Sequence, residues 1–335
     1  MRQILRLRVV STLFTSKMRS HTFIDSLGSA SMMARVLDGK ALATEMKNEL
    51  KQKIANWVNL GHRAPSIRCI LVGDDPASHT YVKNKIIAAR YVGIDAEVIL
   101  HSSEITEEQL VADIKRLNDD SSVDGILVQL PVPETINERN ICNAVAPAKD
   151  VDGFHIINTG RLCLDMPTLV PATALAVVEM LRRFKIETHG RNAVVVGRSK
   201  NVGMPIAMML HSDRNHESGL GMDATVTICH RYTPKDKLEF YCQNADIIIT
   251  ATGLPKLIKA HMVKPGATII DVGITKITNE EGKSRLVGDV DYDEVMKVAG
   301  AVTPVPGGVG PMTVTMLMYN TFQAAQNLRD PKQHL

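Results

Sequence analysis

The chain has 335 residues, of which 44% are hydrophobic and 22% are charged, and its formal net charge is +3. This composition is that of a globular protein long enough for two domains with separate cores. Aromatic residues make up only 4% of the chain and no basic stripe is present in its body, so we predict no nucleic-acid partner. No apolar run reaches the roughly 18 residues of a membrane span, so we predict no membrane association.

The N-terminal segment differs from the rest of the chain. Its first 24 residues contain five basic residues and no acid, and Ser and Thr are frequent. This pattern is typical of a mitochondrial transit peptide, with a disordered basic tail as the alternative. We therefore expect residues 1–33 to be a disordered transit peptide, the folded body to begin at Ala34, and the protein to lie in the mitochondrial matrix.

The five cysteines are scattered and form no CxxC pair. This spacing makes a disulfide framework or a zinc site improbable. Cys69 and Cys229 fall within apolar, strand-like runs, and we expect both to be core thiols in a reducing compartment.

Strand-like runs alternate with helical patterns along the body. In the first series, the runs at 67–73, 95–102 and 125–133 enclose helices at 77–92 and after Thr106, which is a predicted N-cap. A helix over 172–184 leads into a second series, with strands at 191–199, 223–230, 245–253 and 266–274. This alternation predicts an α/β fold with mostly parallel sheets, the second of them Rossmann-like.

The remaining segments complete the domain prediction. Residues 211–223 are polar and contain glycine, which indicates a surface loop. The C-terminal helix is apolar, and because the second domain already looks complete, we expect this helix to return to the first. The predicted domains are therefore 34–173 with 303–330, and 174–302.

A candidate nucleotide site lies in "VVVGRSKNVGMP". Gly197 and Gly203 stand between a predicted buried strand and a helix, where glycine lets the backbone approach a pyrophosphate. The spacing is G-x5-G and not G-x-G-x-x-G, so a tight turn without a ligand is the alternative.

The end of the next predicted strand carries basic residues. An NAD site usually offers an acid there for the ribose 2′-hydroxyl, whereas this chain offers His230 and Arg231, with Arg198 in the glycine loop nearby. The two arginines favour an anion, either the 2′-phosphate of NADP or a separate phosphate. A solvated role for both is the alternative.

Candidate reactive groups lie in the first domain. Tyr81 and Lys85 are four residues apart on a predicted helix and share a face, whereas Lys83 points away from that face. Gln129 ends an apolar strand, where an amide is costly to bury without partners, so we expect it to face a polar cleft. Asp152 lies in an Asp/Gly turn, which is more often only a turn.

Seven stretches together resemble one family, the bifunctional methylenetetrahydrofolate dehydrogenase/methenyltetrahydrofolate cyclohydrolases. They are "YVKNK", "GILVQLPVP", "KDVDGF", "GRSKNVGMP", "ATVTICHRYTP", "ADIIITATG" and "TPVPGGVGPMT", and the resemblance runs from about Val36 to Leu328. The basic leader and "HRYTP" are most similar to the mitochondrial, NAD-using branch. The resemblance implies a folate-binding catalytic first domain, tetrahydrofolate substrates, NAD or NADP as cofactor, and a homodimer.

The resemblance also implies roles for individual residues. Lys85 is the expected active-site lysine, with Tyr81 beside it, Gln129 tuning it, and Asp152 binding the pterin. The implied substrate-binding set is Tyr81, Lys85, Gln129, Leu130, Asp152, Pro306, Gly307 and Gly308. The implied cofactor-binding set is Gly197, Arg198, Ser199, Val202, Gly203, Pro205, His230, Arg231, Thr252, Gly253, Gly273, Ile274, Gly310 and Thr313.

In the mitochondrial branch, inorganic phosphate and Mg2+ assist NAD binding. The matching positions are Arg198 and Arg231 for phosphate and Asp223 near the metal, with contributions from Arg161 and Asp165.

One stretch departs from the family pattern. The linking helix begins with "PATALA" (171–176), in which Ala174 and Ala176 replace a proline and a glycine, and we expect a shifted helix cap.

Two other functional classes are open on the sequence. One is another NAD(P) oxidoreductase on a similar frame, such as a shikimate or amino-acid dehydrogenase, which would lack the Pro/Gly-rich "PVPGGVGP". The other is a non-catalytic dinucleotide sensor, which would be free to lose Lys85 and Asp152.

Overall fold

The computed structural model describes residues 33–278 and 284–329, so the predicted transit peptide lies outside the described residues except for Met33. The elements of the first half are β1 (Arg35–Val36), α1 (Gly39–Asn59), β2 (Ser66–Val72), α2 (Pro76–Val92), β3 (Asp95–His101), α3 (Glu107–Asp119), β4 (Gly125–Val128), α4 (Glu138–Ala144), α5 (Ile156–Cys163) and α6 (Ala172–Arg183).

The second half continues with β5 (Asn192–Val196), α7 (Gly203–His211), β6 (Thr225–Cys229), α8 (Lys235–Gln243), β7 (Ile247–Thr250), β8 (Thr268–Asp271), β9 (Thr275–Thr278), β10 (Ser284–Val287), α9 (Tyr292–Val295), β11 (Ala301–Val302) and α10 (Val309–Arg329). Short 3-10 turns lie at Pro147–Lys149 and Ala260–Met262.

Two parallel sheets organise the described chain, as the alternating pattern predicts. The first has the order β3-β2-β4 and the second β1-β11-β8-β7-β5-β6, while β9 and β10 form a separate antiparallel hairpin. The central strands β2, β5 and β7 are mostly apolar, as expected where both faces of a parallel sheet are covered. Cys69 in β2 and Cys229 in β6 are buried, which agrees with the prediction that they are core thiols.

The N-terminal strand β1 belongs to the second sheet and not to the first. Arg35 and Val36 pair with Ala301 and Val302 at the edge of the second sheet, although residues from Ala34 onward are predicted to belong to the first domain. Two-residue strands carry no periodicity, so the pairing is set by tertiary structure and is invisible in the sequence pattern.

The C-terminal helix returns to the first domain, as expected. α10 packs against α6, α1 and α2, and the Tyr319 hydroxyl donates to the Met46 carbonyl at 3.3 Å. The linking helix α6 begins at Ala172 behind Pro171, without a side-chain cap. Ala174 and Ala176 are fully buried, so the small side chains of "PATALA" serve the helix packing.

Two local predictions are adjusted. The strand predicted over 125–133 ends at Val128, because prolines 131 and 133 have no N–H to continue a ladder. The polar segment after α7 is irregular and largely exposed over 212–220, which agrees with a surface loop, whereas Met222 and Ala224 at its end are buried. No helix in the described part of the chain is long and apolar enough to cross a membrane.

Candidate active site

Lys85 is the centre of the cleft in the first domain. α2 begins with Pro76 behind Asp75, whose carboxylate accepts from the Ser78 N–H at 2.8 Å, and this cap fixes the register of the helix. Lys85 is half-buried and its Nζ donates to Gln129 Oε1 at 3.0 Å, whereas Lys83 is exposed. The two lysines therefore have the different surroundings that their helical spacing predicts, and the catalytic role of Lys85 stays a prediction.

Gln129 is held in one orientation. Its Nε2 donates to the Leu130 carbonyl at 2.7 Å, which turns its carbonyl oxygen to Lys85. Gln129 itself follows β4 and its N–H donates to the Ile70 carbonyl at 2.9 Å. The amide at the end of an apolar strand therefore has the polar partners that its sequence position required.

Asp152 lies beside this pair. It is half-buried, and burial raises its pKa to about 6 from the usual 3.8, an effect that the Lys85 charge opposes and the Asp150 charge reinforces. Tyr81 is 46% exposed on the same helix as Lys85. Lys85, Gln129 and Asp152 thus lie close together, and Tyr81 is one helical turn before Lys85 on α2.

The turn around Asp152 is built by its neighbour Asp150, whose importance sequence reasoning missed. Asp150 is buried and accepts from the N–H groups of Gly153 (3.1 Å) and His155 (2.8 Å) and from Asn158 Nδ2 (2.9 Å). Burial raises the pKa of Asp150, and the hydrogen bonds from His155 and Asn158 offset only part of that rise. The first aspartate of "KDVDG" therefore folds the turn, and the second faces the cleft.

The glycine loop of the second sheet fits a dinucleotide pyrophosphate. Gly197 has φ +127, and a Cβ there would collide with the Ala251 backbone. A Cβ on Gly203 would collide with Gly197 in turn. Ser199 Oγ accepts from the N–H groups of Val202 (3.1 Å) and Gly203 (3.3 Å) at the start of α7. The close backbone approach is the feature that a phosphate site at a helix N-terminus needs.

Buried carboxylates tie together the other cofactor-site loops. Asp271 accepts from Thr250 Oγ1 and from the N–H groups of Gly273, Asp289 and Val290, at 2.9–3.1 Å. Asp289 Oδ2 accepts from the Thr252 N–H at 2.7 Å. Burial raises the pKa of Asp271 to about 6. Sequence reasoning did not single out Asp271 or Asp289. Asp271 ends an apolar strand, which is the same kind of signal as the position of Gln129.

The Pro/Gly loop connects the second sheet to the start of α1. Thr303 Oγ1 accepts from the Asp271 N–H at 2.7 Å at the edge of the second sheet. Further along, the Gly307 carbonyl accepts from the Lys40 N–H at 2.8 Å at the start of α1. Gly310 begins α10 within van der Waals reach of Ile274, and Thr313 Oγ1 lies 3.5 Å from Thr173 Oγ1. The remaining predicted residues, Val202, Pro205, Gly253, Pro306 and Gly308, lie in these same loops and helix starts.

Arg198 and Arg231 both follow the carboxyl ends of paired strands. β5 and β6 run parallel, with Val196 opposite Cys229, so the two arginines lie at the same edge of the sheet. Both are exposed, and Arg198 stacks over the Tyr232 ring at 5.8 Å. His230 Nδ1 accepts from the Tyr232 N–H at 3.2 Å. Neither arginine has a salt-bridge partner within the described residues.

The structure does not bring Asp223 to these arginines. Asp223 precedes β6 and lies at the amino edge of the sheet, on the order of 20 Å along the strand from Arg231. Its carboxylate pairs with Arg214 Nε at 2.6 Å and His189 Nδ1 at 3.3 Å, and its pKa is lowered, chiefly by the hydrogen bond from the Arg214 N–H. The structure therefore separates Asp223 from the two arginines, and a role for it in holding Mg2+ stays a prediction from the sequence.

Asp165 lies with the same amino-edge loop. Its carbonyl accepts from the Ser218 N–H at 3.2 Å and lies 3.0 Å from His216 Nδ1. Arg161 is on α5 just before it. Among the residues that the structure describes, no cluster of three His, Cys, Asp or Glu side chains has the geometry to hold a metal ion.

A parallel sheet with a glycine-lined carboxyl edge, joined by a Pro/Gly loop to a lysine-centred cleft, defines a two-domain dinucleotide-binding protein. Two family models match the chain: the catalytic domain of tetrahydrofolate dehydrogenase/cyclohydrolase over residues 37–152 and the NAD(P)-binding domain of the same family over residues 171–329. The chain therefore belongs to the tetrahydrofolate dehydrogenase/cyclohydrolase family.

Individual relatives agree with this assignment. The chain is 57% identical to the human mitochondrial bifunctional methylenetetrahydrofolate dehydrogenase/cyclohydrolase 2, over 88% of this chain and 85% of the human protein. It is 54% identical to the mitochondrial bifunctional enzyme of Drosophila melanogaster, over 90% and 98% of the two chains. Among solved structures, a 5,10-methylenetetrahydrofolate dehydrogenase from the silkworm Bombyx mori is 76% identical with a TM-score of 0.85, covering 89% of this chain and all of that one.

Proposed function

We propose that this chain oxidises methylene-tetrahydrofolate to methenyl-tetrahydrofolate with NAD+, and then hydrolyses the methenyl form to 10-formyl-tetrahydrofolate. The observation that carries this proposal is the Lys85–Gln129 hydrogen bond beside Asp152, in a cleft that shares the loop over 303–308 with the dinucleotide edge of the second sheet. The family assignment supports the same pair of activities.

For the first step, the chain mainly has to orient two planar partners. NAD+, when bound, supplies the hydride acceptor. The Asp152 carboxylate accepts from N–H groups of the pterin, while the glycine backbone at 307–308 lets both rings approach closely. Correct orientation at near-contact distance supplies a large part of the rate acceleration in such a transfer.

For the second step, Lys85 accepts a proton from the attacking water. Water adds to the methenyl carbon and loses one proton to Lys85 as the C–O bond forms. The carbon–N5 bond then breaks as the remaining hydroxyl proton is lost and N5 takes up a proton, which leaves the formyl group on N10. The neutral amide of Gln129 orients Lys85 Nζ, and no carboxylate among the described residues forms a salt bridge with it. A positioned general base of this kind contributes roughly 10²–10⁴-fold.

The direct test is spectrophotometric. Purified protein should reduce NAD+ when methylene-tetrahydrofolate is added and should also hydrolyse methenyl-tetrahydrofolate supplied directly. Shikimate and amino acids are the matched controls for the rival dehydrogenases and should give no reduction. Reduction with shikimate or an amino acid and none with the folate would overturn the proposal. Dinucleotide binding without turnover would favour a sensor.

We also propose that NAD+ is used with inorganic phosphate, held by Arg198 and Arg231, and that NADP+ is an alternative cofactor. The two exposed arginines at one sheet edge support this, since guanidinium groups bind phosphate through charge-assisted hydrogen bonds. Mg2+ dependence stays a prediction, as does the role of Asp223 in it. A homodimer is proposed from the family resemblance alone.

We propose that the protein acts in the mitochondrial matrix. The basic, acid-free leader supports this, and the human and Drosophila relatives are named as mitochondrial proteins. A fluorescent reporter fused to residues 1–35 should enter mitochondria, and fluorescence that stays in the cytosol would contradict the proposal.

A further inference from the structure

Asn320 is a buried amide in the middle of the apolar helix α10. It is 1% exposed, and its Oδ1 has no hydrogen-bond partner in the described structure. An unpartnered polar atom of this kind costs stability. An apolar side chain of the same shape would avoid that cost. The reason for an asparagine at this position therefore lies in the hydrogen bonds of its Nδ2 group.

Both amide hydrogens of Asn320 bind backbone carbonyls from different segments. Its Nδ2 donates to the Val151 carbonyl and to the Val170 carbonyl, each at 2.8 Å. Val151 immediately precedes Asp152, and Val170 lies in the segment that leads into α6. One side chain on the returning helix therefore joins two stretches of the first domain.

These two stretches also touch each other directly. Gly153 has φ +73, and a Cβ at that position would collide with the backbone of residues 169–171. The turn from Asp150 to Gly153 is thus held from within by the Asp150 carboxylate, from one side by the 169–171 backbone, and from α10 by Asn320. Asp152 itself is left facing Lys85.

We propose that Asn320 is a positioning residue that sets the place of Asp152 in the folate site without touching the substrate. This inference rests on the proposed function. It predicts that loss of the Asn320 amide weakens the use of the folate substrate, because the Val151 carbonyl is freed and the turn shifts. It also predicts that NAD+ binding is unaffected, since both hydrogen bonds of Asn320 go to the first domain and neither goes to the glycine loop of the second sheet.

The alternative is that Asn320 only stabilises the fold. A double-mutant cycle separates the two possibilities, because residues that act through one another show non-additive losses, whereas independent ones add. The cycle uses Asn320→Leu, which keeps the branched shape of asparagine without its donors, together with Asp152→Asn and the double variant. Thr321→Val is the matched control, since Thr321 is buried on the same helix turn and bonds only the Leu317 carbonyl at 2.9 Å.

We expect Asn320→Leu to lower kcat/KM for methylene-tetrahydrofolate by roughly 10- to 100-fold, the scale of a small misplacement at an active site. The KM for NAD+ should change less than about twofold, because the misplacement is confined to the folate side of the site. In the Asp152→Asn background, Asn320→Leu should cause almost no further loss. Thr321→Val should keep the wild-type kcat/KM.

Additive losses, or an equal rise in the KM for NAD+, would overturn the inference. If Asn320→Leu does not fold, Asn320→Ser keeps one donor and should give a smaller loss with the same non-additivity, whereas additivity there would also overturn it. Failure of the proposed function is distinct, because the wild-type protein would then show no turnover of the folate.

Discussion

At the scale of single residues, the chemistry depends on which of two neighbouring lysines faces the cleft. Lys85→Met should abolish the hydrolysis of methenyl-tetrahydrofolate with a loss of at least about 10²-fold, because the positioned proton acceptor is removed. Lys83→Met is the matched control and should be nearly silent, since Lys83 is exposed two residues away. Rates of methenyl hydrolysis for both variants provide the measurement, and equal losses would contradict the assignment.

Asp152 makes the site sensitive to pH. Its pKa is raised to about 6, so between pH 3.8 and 6 the folded protein holds a proton that the unfolded chain releases. Stability contributed by this group is therefore highest at acidic pH and falls as the pH rises through that window, then levels off. Substrate binding should move the other way, because the ionised carboxylate is the better acceptor for pterin N–H groups.

The measurement is the KM for methylene-tetrahydrofolate between pH 5 and 8. It should rise as the pH falls through about 6 in the wild-type protein, and it should be flat across that range in Asp152→Asn. The KM for NAD+ serves as the internal control. An identical pH profile in both proteins would show that another group titrates.

At the scale of elements, the start of α1 packs tightly against the Pro/Gly loop. A Cβ on Gly39 would collide with the Gly308 backbone carbonyl. Gly39→Ala should therefore push the loop at 307–308 away and cost on the order of 1–3 kcal/mol of stability, with a loss of both activities. Denaturant unfolding and kcat/KM are the measurements.

Gly160→Ala is the matched control for that substitution. Gly160 lies in α5, and a Cβ there would meet nothing within 4 Å. Because alanine is the better helix former, this variant should be neutral or more stable by up to about 1 kcal/mol. Equal destabilisation by the two substitutions would show that the Gly39 contact is not what matters.

The sequence predicted the long elements well because their signal is local. Apolar β-branched runs marked the strands of both sheets, and the spacing of Tyr81, Lys83 and Lys85 on α2 gave the correct face. The pairing of β1 with β11 was not predictable, since two-residue strands are defined by their partners alone. The β9–β10 hairpin was missed for a related reason, because its strands have only four residues each.

The candidate site was predicted less completely than the fold. Lys85 was placed by its helical spacing from Tyr81, and Asp152 by the family resemblance. Gln129 carried its own signal because a polar residue at the end of an apolar strand needs partners. The same reasoning applies to Asp271 and Asn320, and both were overlooked because they touch backbone groups that the sequence does not identify. Asp223 precedes β6 and Arg231 follows it, so the two lie at opposite ends of one strand, a separation that the sequence analysis did not take into account.

At the scale of the whole molecule, the charge at the carboxyl edge of the second sheet should determine how cofactors are used. Phosphate should activate the reaction with NAD+ by occupying the place between Arg198 and Arg231. It should inhibit the reaction with NADP+, whose own 2′-phosphate competes for that place. Arg231→Ala should erase both effects, because an anion held by two guanidinium groups loses half of its partners.

Initial rates against phosphate concentration, with each cofactor at fixed Mg2+, provide the measurement. Arg191→Ala is the matched control, since Arg191 is an exposed arginine just before β5, at the opposite edge of the same sheet. It should leave both phosphate curves unchanged. Flat curves with both cofactors in the wild-type protein would show that the arginines serve another purpose.

The central claim is that one cleft carries a hydride transfer followed by hydrolysis at the same carbon. The most direct measurement uses methylene-tetrahydrofolate with two deuterium atoms on the methylene carbon, and follows the label by mass spectrometry. The account predicts one deuterium in the reduced cofactor and the other in the formyl group of 10-formyl-tetrahydrofolate, with Lys85→Met stopping the second product. Reduced cofactor without deuterium, or no labelled formyl product from the wild-type protein, would contradict the account.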